Sequence, residues 1–474
     1  MVENEGHAIC YDGSLMNGLE AMTSWNESYH NPSPSTLGLL AAAMSIGSML
    51  AIPVVPYVAD ILGRRAGVVL GCVIMLFGVA MVSIGYRVAL FVVGRIILGF
   101  GLGIAQECSP LLVAELVHPQ HRAVYSTIYN SLWYVGSLIG ACVALGTNHI
   151  QNSAWSWRVP CLLQGIPSIC QLVFIWTVPE SPRWLISKGK LAQAKKVLAY
   201  VHAQGDEDDE LVNVEFDEIQ QTIELEKQFE GNSWSELWST PGNRHRSIIL
   251  ISIGFFSQCN TVLTINSILN AVNVVSATGI CFFVDKFGRR RLFLTSCFGM
   301  IACFVATTIA LARFQIQSDN GGGANQNAAN TVIVFIFLYY ISYNIGFSGM
   351  LVSYSSEILP YRLRAKGLTL MFFCVDLSLW FNQYVNPIAI GHIKWKYYIV
   401  YCVWLVFETL VVWKFYIETK ETPLEEIVKY FDGDGAIIGG ASATEKTRQL
   451  AETLDGHAAR DSEKVGTVQT EVVL

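Results

Sequence analysis

The sequence predicts an all-α membrane protein built as a duplicated helix bundle. Three observations predict it: long apolar runs without charge, basic residues confined to alternate loops, and two charged motifs that recur in the same order in both halves. Of 474 residues, 52% are hydrophobic and only 15% charged, against roughly 25% charged in an ordinary soluble domain. A bilayer core of about 30 Å takes around 20 apolar residues per helix. Such runs are Leu37 to Ala59, Ala66 to Tyr86, Leu90 to Leu112, Val124 to Leu145 and Val159 to Val178 in the first half. In the second half they are Leu292 to Ala312, Thr331 to Tyr354, Gly367 to Ile390 and Tyr397 to Ile417. No water satisfies the backbone in hydrocarbon, so each run is expected to be a helix; the alternating pattern of a closed barrel is missing.

The basic residues give the orientation. Arg64, Arg65, Arg122, Arg183, Lys188, Lys190, Lys195, Lys196, Arg244, Arg246, Lys286, Arg289 to Arg291, Arg362, Arg364 and Lys366 fall in alternate loops. The intervening loops hold little beyond Arg87, Arg313, Lys394 and Lys396, so the positive-inside rule makes the first set cytoplasmic and, for an even helix count, both termini with it. The net charge of −7 and the isoelectric point near 5.8 argue against nucleic acid as a partner. The 12 cysteines are scattered singly, without metal-ligand or redox spacing. No nucleophile, metal or phosphate-loop constellation stands out, which argues against an enzyme and predicts no cofactor.

The two apolar halves, 8–178 and 247–420, flank a polar linker, 179–246, in which Leu191 to Val201 and Phe216 to Phe229 read as amphipathic helices. Asp206 to Glu210 reads as a solvated acidic loop. Residues 421–474 form a polar tail, expected to be mostly disordered after 432. Asp60-Ile-Leu-Gly63-Arg64-Arg65 is answered by Asp285-Lys-Phe-Gly288-Arg289-Arg290, each a tight turn between two apolar runs. Glu115 and Arg122 recur as Glu357 and Arg364 at the same spacing. Two different motifs repeating in order indicate duplication. These charges are expected to form a cytoplasmic gate between the two bundles. Asn26-Glu-Ser28 is a glycosylation sequon in a loop expected outside the cell.

Tyr11-Asp12-Gly13, the two Gly-Arg-Arg turns, Gly94-Arg95 with Gly99 and Gly101, and Pro179-Glu-Ser-Pro-Arg-Trp184 make up a family pattern. It continues through Glu357, Arg364-Ala-Lys-Gly367, Asn382-Gln-Tyr-Val-Asn-Pro387 and Glu418-Thr-Lys420. On these residues the chain resembles the sugar porter family of the major facilitator superfamily, and within it the fungal hexose and lactose-type permeases. The resemblance implies two six-helix bundles with cytoplasmic linker helices, in the plasma membrane. It implies alternating-access transport of a hexose or disaccharide, by facilitation or by proton symport. It further implies Asp12 and Arg95 as a proton-coupling pair, and sugar contacts at Asn130, Gln258, Asn273 and Asn382. Amides suit that work because they offer donors and an acceptor without a charge to desolvate. Asp376 stands near another expected sugar contact; binding substrate, taking a proton or facing an interface water are all open to it. Glu107 and Glu408 are further ionisable residues within apolar runs, and Tyr343 and Tyr354 offer rings for sugar stacking.

The spacing departs from the pattern in two places. The seventh and eighth spans and their loop share the 37 residues from Ile248 to Val284, where two spans alone need about 40. Only Glu3 to Ile9 precedes Tyr11-Asp12, so the first span is short as well. Helices 1 and 7 are therefore expected to be truncated, and the alternative to a transporter is a non-transporting sugar sensor or an inactive truncated paralogue.

Overall fold

The computed structural model describes residues 11–431 except 12–14, 17, 21, 118–121, 151–152, 229–233, 260–265, 282–286, 320–325, 360, 421–426 and 428–429. Every regular element among the described residues is a helix. Residues 11, 15, 16 and 18–20 are helical and lead into a short helix α1, Thr23–Ser28. Helix α2, Pro34–Ala51, starts where the Ser33 hydroxyl accepts the Thr36 amide and Pro34 occupies the first turn. It breaks at Pro53 and continues as α3, Val55–Ile61, bent by 50°. The missing proline N–H groups account for the bend. Helices α4, Arg64–Ile84, and α5, Val88–Leu116, follow. A Cβ on Gly47 of α2 or Gly99 of α5 would lie 2.0 Å from the carbonyl of Ile96 or Met44. The lack of side chains there brings two backbones together where no hydrophobic force separates helix from lipid.

Helix α6, Arg122–Asn148, is followed by α7, Trp155–Leu163, and α8, Ile166–Phe174, which act as one span from Trp155 to Thr177. The linker folds as α9, Pro182–Ser187, α10, Leu191–His202, α11, Glu210–Gln228, and α12, Glu236–Ser239. Helix α11 starts earlier than the amphipathic pattern indicates. Within the acidic run Asp209 Oδ1 accepts the Leu211 amide at 2.8 Å, so the run caps the helix rather than merely loops. The linker is fastened to the bundle by His202, whose Nε2 donates to the Leu116 carbonyl at 3.2 Å and whose Nδ1 meets Glu215.

The second half comprises α13, Pro241–Cys259, α14, Asn266–Cys281, α15, Arg289–Asp319, and α16, Gln326–Tyr343. A π turn, Asn344–Ser348, joins α16 to α17, Gly349–Ile358; α18, Tyr361–Ile393, and α19, Tyr397–Phe415, complete it. Its core is aromatic, with Phe293 edge-on to Phe347, Tyr354 and Tyr416. Tyr354 is fully buried, stacked on Tyr416 and bonded through its hydroxyl to the Ile417 backbone, so it offers sugar no face. Among the described residues seven helices are long and apolar enough to cross a membrane, eight if α2 and α3 are one span. Tyr134–Thr147 and Ala271–Ile280 are shorter apolar helices. Helix α13 begins within the stretch read as linker and opens on Pro241-Gly-Asn-Arg-His-Arg246; α14 has 16 residues.

Candidate functional site

At the turns expected to face the cytoplasm the two halves repeat one network. Arg64 Nε lies 3.2 Å from Glu115, and Arg289 Nη2 lies 3.2 Å from Glu357. Ser181 donates to Glu115 as Thr419 donates to Glu357. Glu180 accepts the backbone amides of Arg64 and Arg65, and Glu418 accepts that of Arg289 at 2.7 Å. Arg65 and Arg290 each donate to a tryptophan carbonyl, Trp176 and Trp413. Asp60 is exposed, 3.8 Å from Arg64. Every one of these described bonds joins residues of the same half. The expected lock between bundles is, in its described part, a buckle within each bundle. Asp285 lies outside the described residues, as do the side chains of Arg122 in α6 and Arg364 in α18.

Bonds that do cross between the halves lie deeper. Ser48 of α2 donates to Asp376 of α18 at 2.5 Å, and Thr369 of α18 donates to Glu107 of α5 at 3.0 Å. Each half thus gives one hydroxyl and one carboxyl, and both carboxyls are buried. Further along α2, Ser45 donates to Gln383 at 3.4 Å, and Gly38 lies against the Tyr384 backbone. Asp376, for which substrate binding, proton transfer and an interface water were all open, closes this seam. Glu408 is fully buried within the second half.

A polar hub lies between α6, α14 and the π turn. Tyr134 Oη donates to Asn344 Oδ1 at 2.7 Å, and Asn344 Nδ2 donates to Asn273 Oδ1 at 3.1 Å and Ser276 Oγ at 2.7 Å. Asn273 is therefore drawn into a site whose centre, Asn344, the sequence reading did not single out. The Tyr343 hydroxyl donates to the Ser257 carbonyl at 2.7 Å, and its ring stacks on Phe347. A second group joins Asn382 Nδ2 to the Gln258 carbonyl at 2.8 Å, and Asn386 Oδ1 to Tyr397 and Tyr401, each at 2.8 Å. Gln258 itself is half-buried in the last turn of α13. Trp380 and Tyr384 stack nearly parallel on α18.

Arg95 is 3% exposed, with Nη2 3.9 Å from Met44 Sδ, and its charge acts on Glu20, an acid on the first helical stretch that the sequence reading passed over. Asp12 lies outside the described residues, and the Asn130 side chain is likewise undescribed within α6. Asn26 lies inside α1, its amide donating to the Glu20 and Met22 carbonyls.

The sequence profile of the family described as "Sugar (and other) transporter" matches residues 3–266 and 259–431. The two matches overlap over residues 259–266. The chain is similar to the MFS-type transporter oryC of Aspergillus oryzae, 27% identical over 465 residues, with 90% of this chain and 84% of that protein covered. It is similar to the low-affinity glucose transporter HXT4 of Saccharomyces cerevisiae, 27% identical over 461 residues, with 90% and 79% covered. Of solved structures, the proton:xylose symporter XylE bound to 6-bromo-6-deoxy-D-glucose matches with a TM-score of 0.75 at 22% identity, over 91% of this chain and 98% of that one. Inward-open XylE from E. coli matches with a TM-score of 0.70. The structural likeness establishes the major facilitator fold, and the profile spans both halves: the chain belongs to the sugar (and other) transporter family.

Proposed function

We propose that this transporter carries a hexose or disaccharide across the plasma membrane by alternating access, coupled to protons through Asp12 and Arg95. The observation that carries the sugar reading is the hub Tyr134–Asn344–Asn273–Ser276, in which hydroxyls and amides from both halves converge without a fixed charge. A sugar hydroxyl exchanges one such bond for another at little net cost. Asn130, Gln258 and Asn382 extend the same chemistry, and Trp380 and Tyr384 offer rings. The bundles 8–178 and 247–420 rock about this centre, while the linker 179–246, the tail 421–474 and both termini stay in the cytoplasm. Asn26 faces outward, and its glycan is added before α1 closes on the amide.

The test is uptake of labelled glucose, xylose and lactose into proteoliposomes, with and without a proton gradient. Saturable uptake of one of them, stimulated by an inward proton gradient and lost in Asn273→Ala, is the expected result. Uptake indifferent to the gradient leaves a uniporter. The overlap of the two profile matches over residues 259–266 favours one second reading, a sensor. It is distinguished by sugar-dependent quenching of tryptophan fluorescence without any uptake.

A further inference from the structure

A groove of about 300 Å³ opens beside the start of α4, lined by Arg65, Trp176, Thr177, Val178, Pro179, Lys196, Val197 and Tyr200. Arg65 is held over the Trp176 ring, its Cζ 4.8 Å from the centroid, while Nη2 donates to the Trp176 carbonyl at 3.3 Å. The second half repeats the bond from arginine to tryptophan carbonyl at Arg290 and Trp413, so that bond belongs to the duplicated scaffold. What the first half adds is Lys196 and Tyr200, brought by α10 of the linker.

The charges do not cancel locally. Glu180 accepts the α4 amides, and Asp60 faces Arg64. Neither Arg65 nor Lys196 makes an ion pair among the described residues. The groove lies at the end of the span from Trp155 to Thr177, and Trp176 and Tyr200 are 67% and 73% exposed. Amphipathic rings in that position mark the headgroup level. Above it, Val73 and Phe77 on α4 and Ile169 and Val173 on α8 are exposed at helical spacing. They offer acyl chains an exposed apolar face on the two helices whose ends bear the groove.

We propose that this groove is a binding site for the headgroup of an anionic phospholipid of the cytoplasmic leaflet, held between Arg65 and Lys196 with Trp176 and Tyr200 at its sides. The positive-inside orientation puts the groove on the leaflet where such lipids concentrate. Because Lys196 comes from the linker and Arg65 from the bundle, a bound headgroup clamps α10 to α4.

The test measures thermal midpoints of the full-length protein in neutral detergent micelles doped with phosphatidylinositol 4-phosphate, phosphatidylserine or phosphatidylcholine, and separately with inorganic phosphate. The two anionic lipids should raise the midpoint, and phosphatidylcholine and inorganic phosphate should not. Lys196→Gln should weaken the apparent lipid affinity about fivefold, with the lipid-free midpoint unchanged, and Lys196→Arg should retain it. Lys414→Gln, on the other half, should respond as the wild type does. Equal responses from Lys196→Gln and the wild type overturn the site, and an equal shift with inorganic phosphate overturns the lipid as its occupant.

Discussion

Asn344 spends its whole side chain on other residues, accepting from Tyr134 and donating to Asn273 and Ser276. Asn344→Ala leaves those groups buried and short of a partner, at about 1–3 kcal/mol. It should lower the thermal midpoint and raise the sugar KM together. Asn344→Asp keeps the Tyr134 bond and removes the donor, so its KM should rise with a smaller loss of stability. Glu107 presents the opposite case: a buried carboxyl whose described hydrogen bond comes from Thr369 alone. Glu107→Gln keeps an acceptor for Thr369 and removes the ionisable group, so its midpoint should equal or exceed that of the wild type; a fall of several degrees would falsify this reading. At this scale Asn273 was reached through the family resemblance, one of three asparagines between 266 and 273. Asn344 is the one asparagine in Thr331 to Tyr354, but its importance depends on a π turn that no local pattern announces.

The nine apolar runs emerge as helices or helix pairs close to their expected limits, because hydrocarbon leaves the backbone no other choice. The repeated Asp and Gly-Arg-Arg strings foretold the turns, whereas the run Leu37 to Ala59, read as one helix, is bent by 50° at Pro53. What the elements do with the repeated charges was not legible. Glu180 and Glu418 sit after the last spans of their halves, far in sequence from the arginines they serve. Both turns depend on glycine: Gly63 has φ +101° and Gly288 has φ +85°, and an added Cβ would come within 2.5 Å of Glu180 Oε2 or 2.7 Å of Glu418 Oε2. Alanine at either position meets both the left-handed penalty of about 1–2 kcal/mol and a displaced carboxylate. Gly63→Ala and Gly288→Ala should each reduce the yield of monodisperse protein, and the double variant should lose most of it.

Over the whole molecule, Ser48–Asp376 and Thr369–Glu107 are prominent among the described bonds between the bundles. Replacing both hydroxyls, Ser48→Ala with Thr369→Val, should shift the equilibrium toward the inward-open state. A cysteine introduced at Ser45, which donates across this seam to Gln383, should be labelled several-fold faster by a maleimide in inside-out vesicles of the double variant; unchanged labelling places the inner gate elsewhere. Duplication made the two halves legible in the sequence, whereas their mutual contacts, which follow no repeat, had to be seen. The buckles carry a different consequence for how the chain is made. Because Glu180 and Ser181 leave the ribosome after the first half's last span, and Glu418 and Thr419 after the second's, neither half can fasten its turn until all of its helices have been delivered. A chain stopped just after Phe415 therefore has every described membrane helix and lacks the second fastener, and it is expected to be inserted and then degraded.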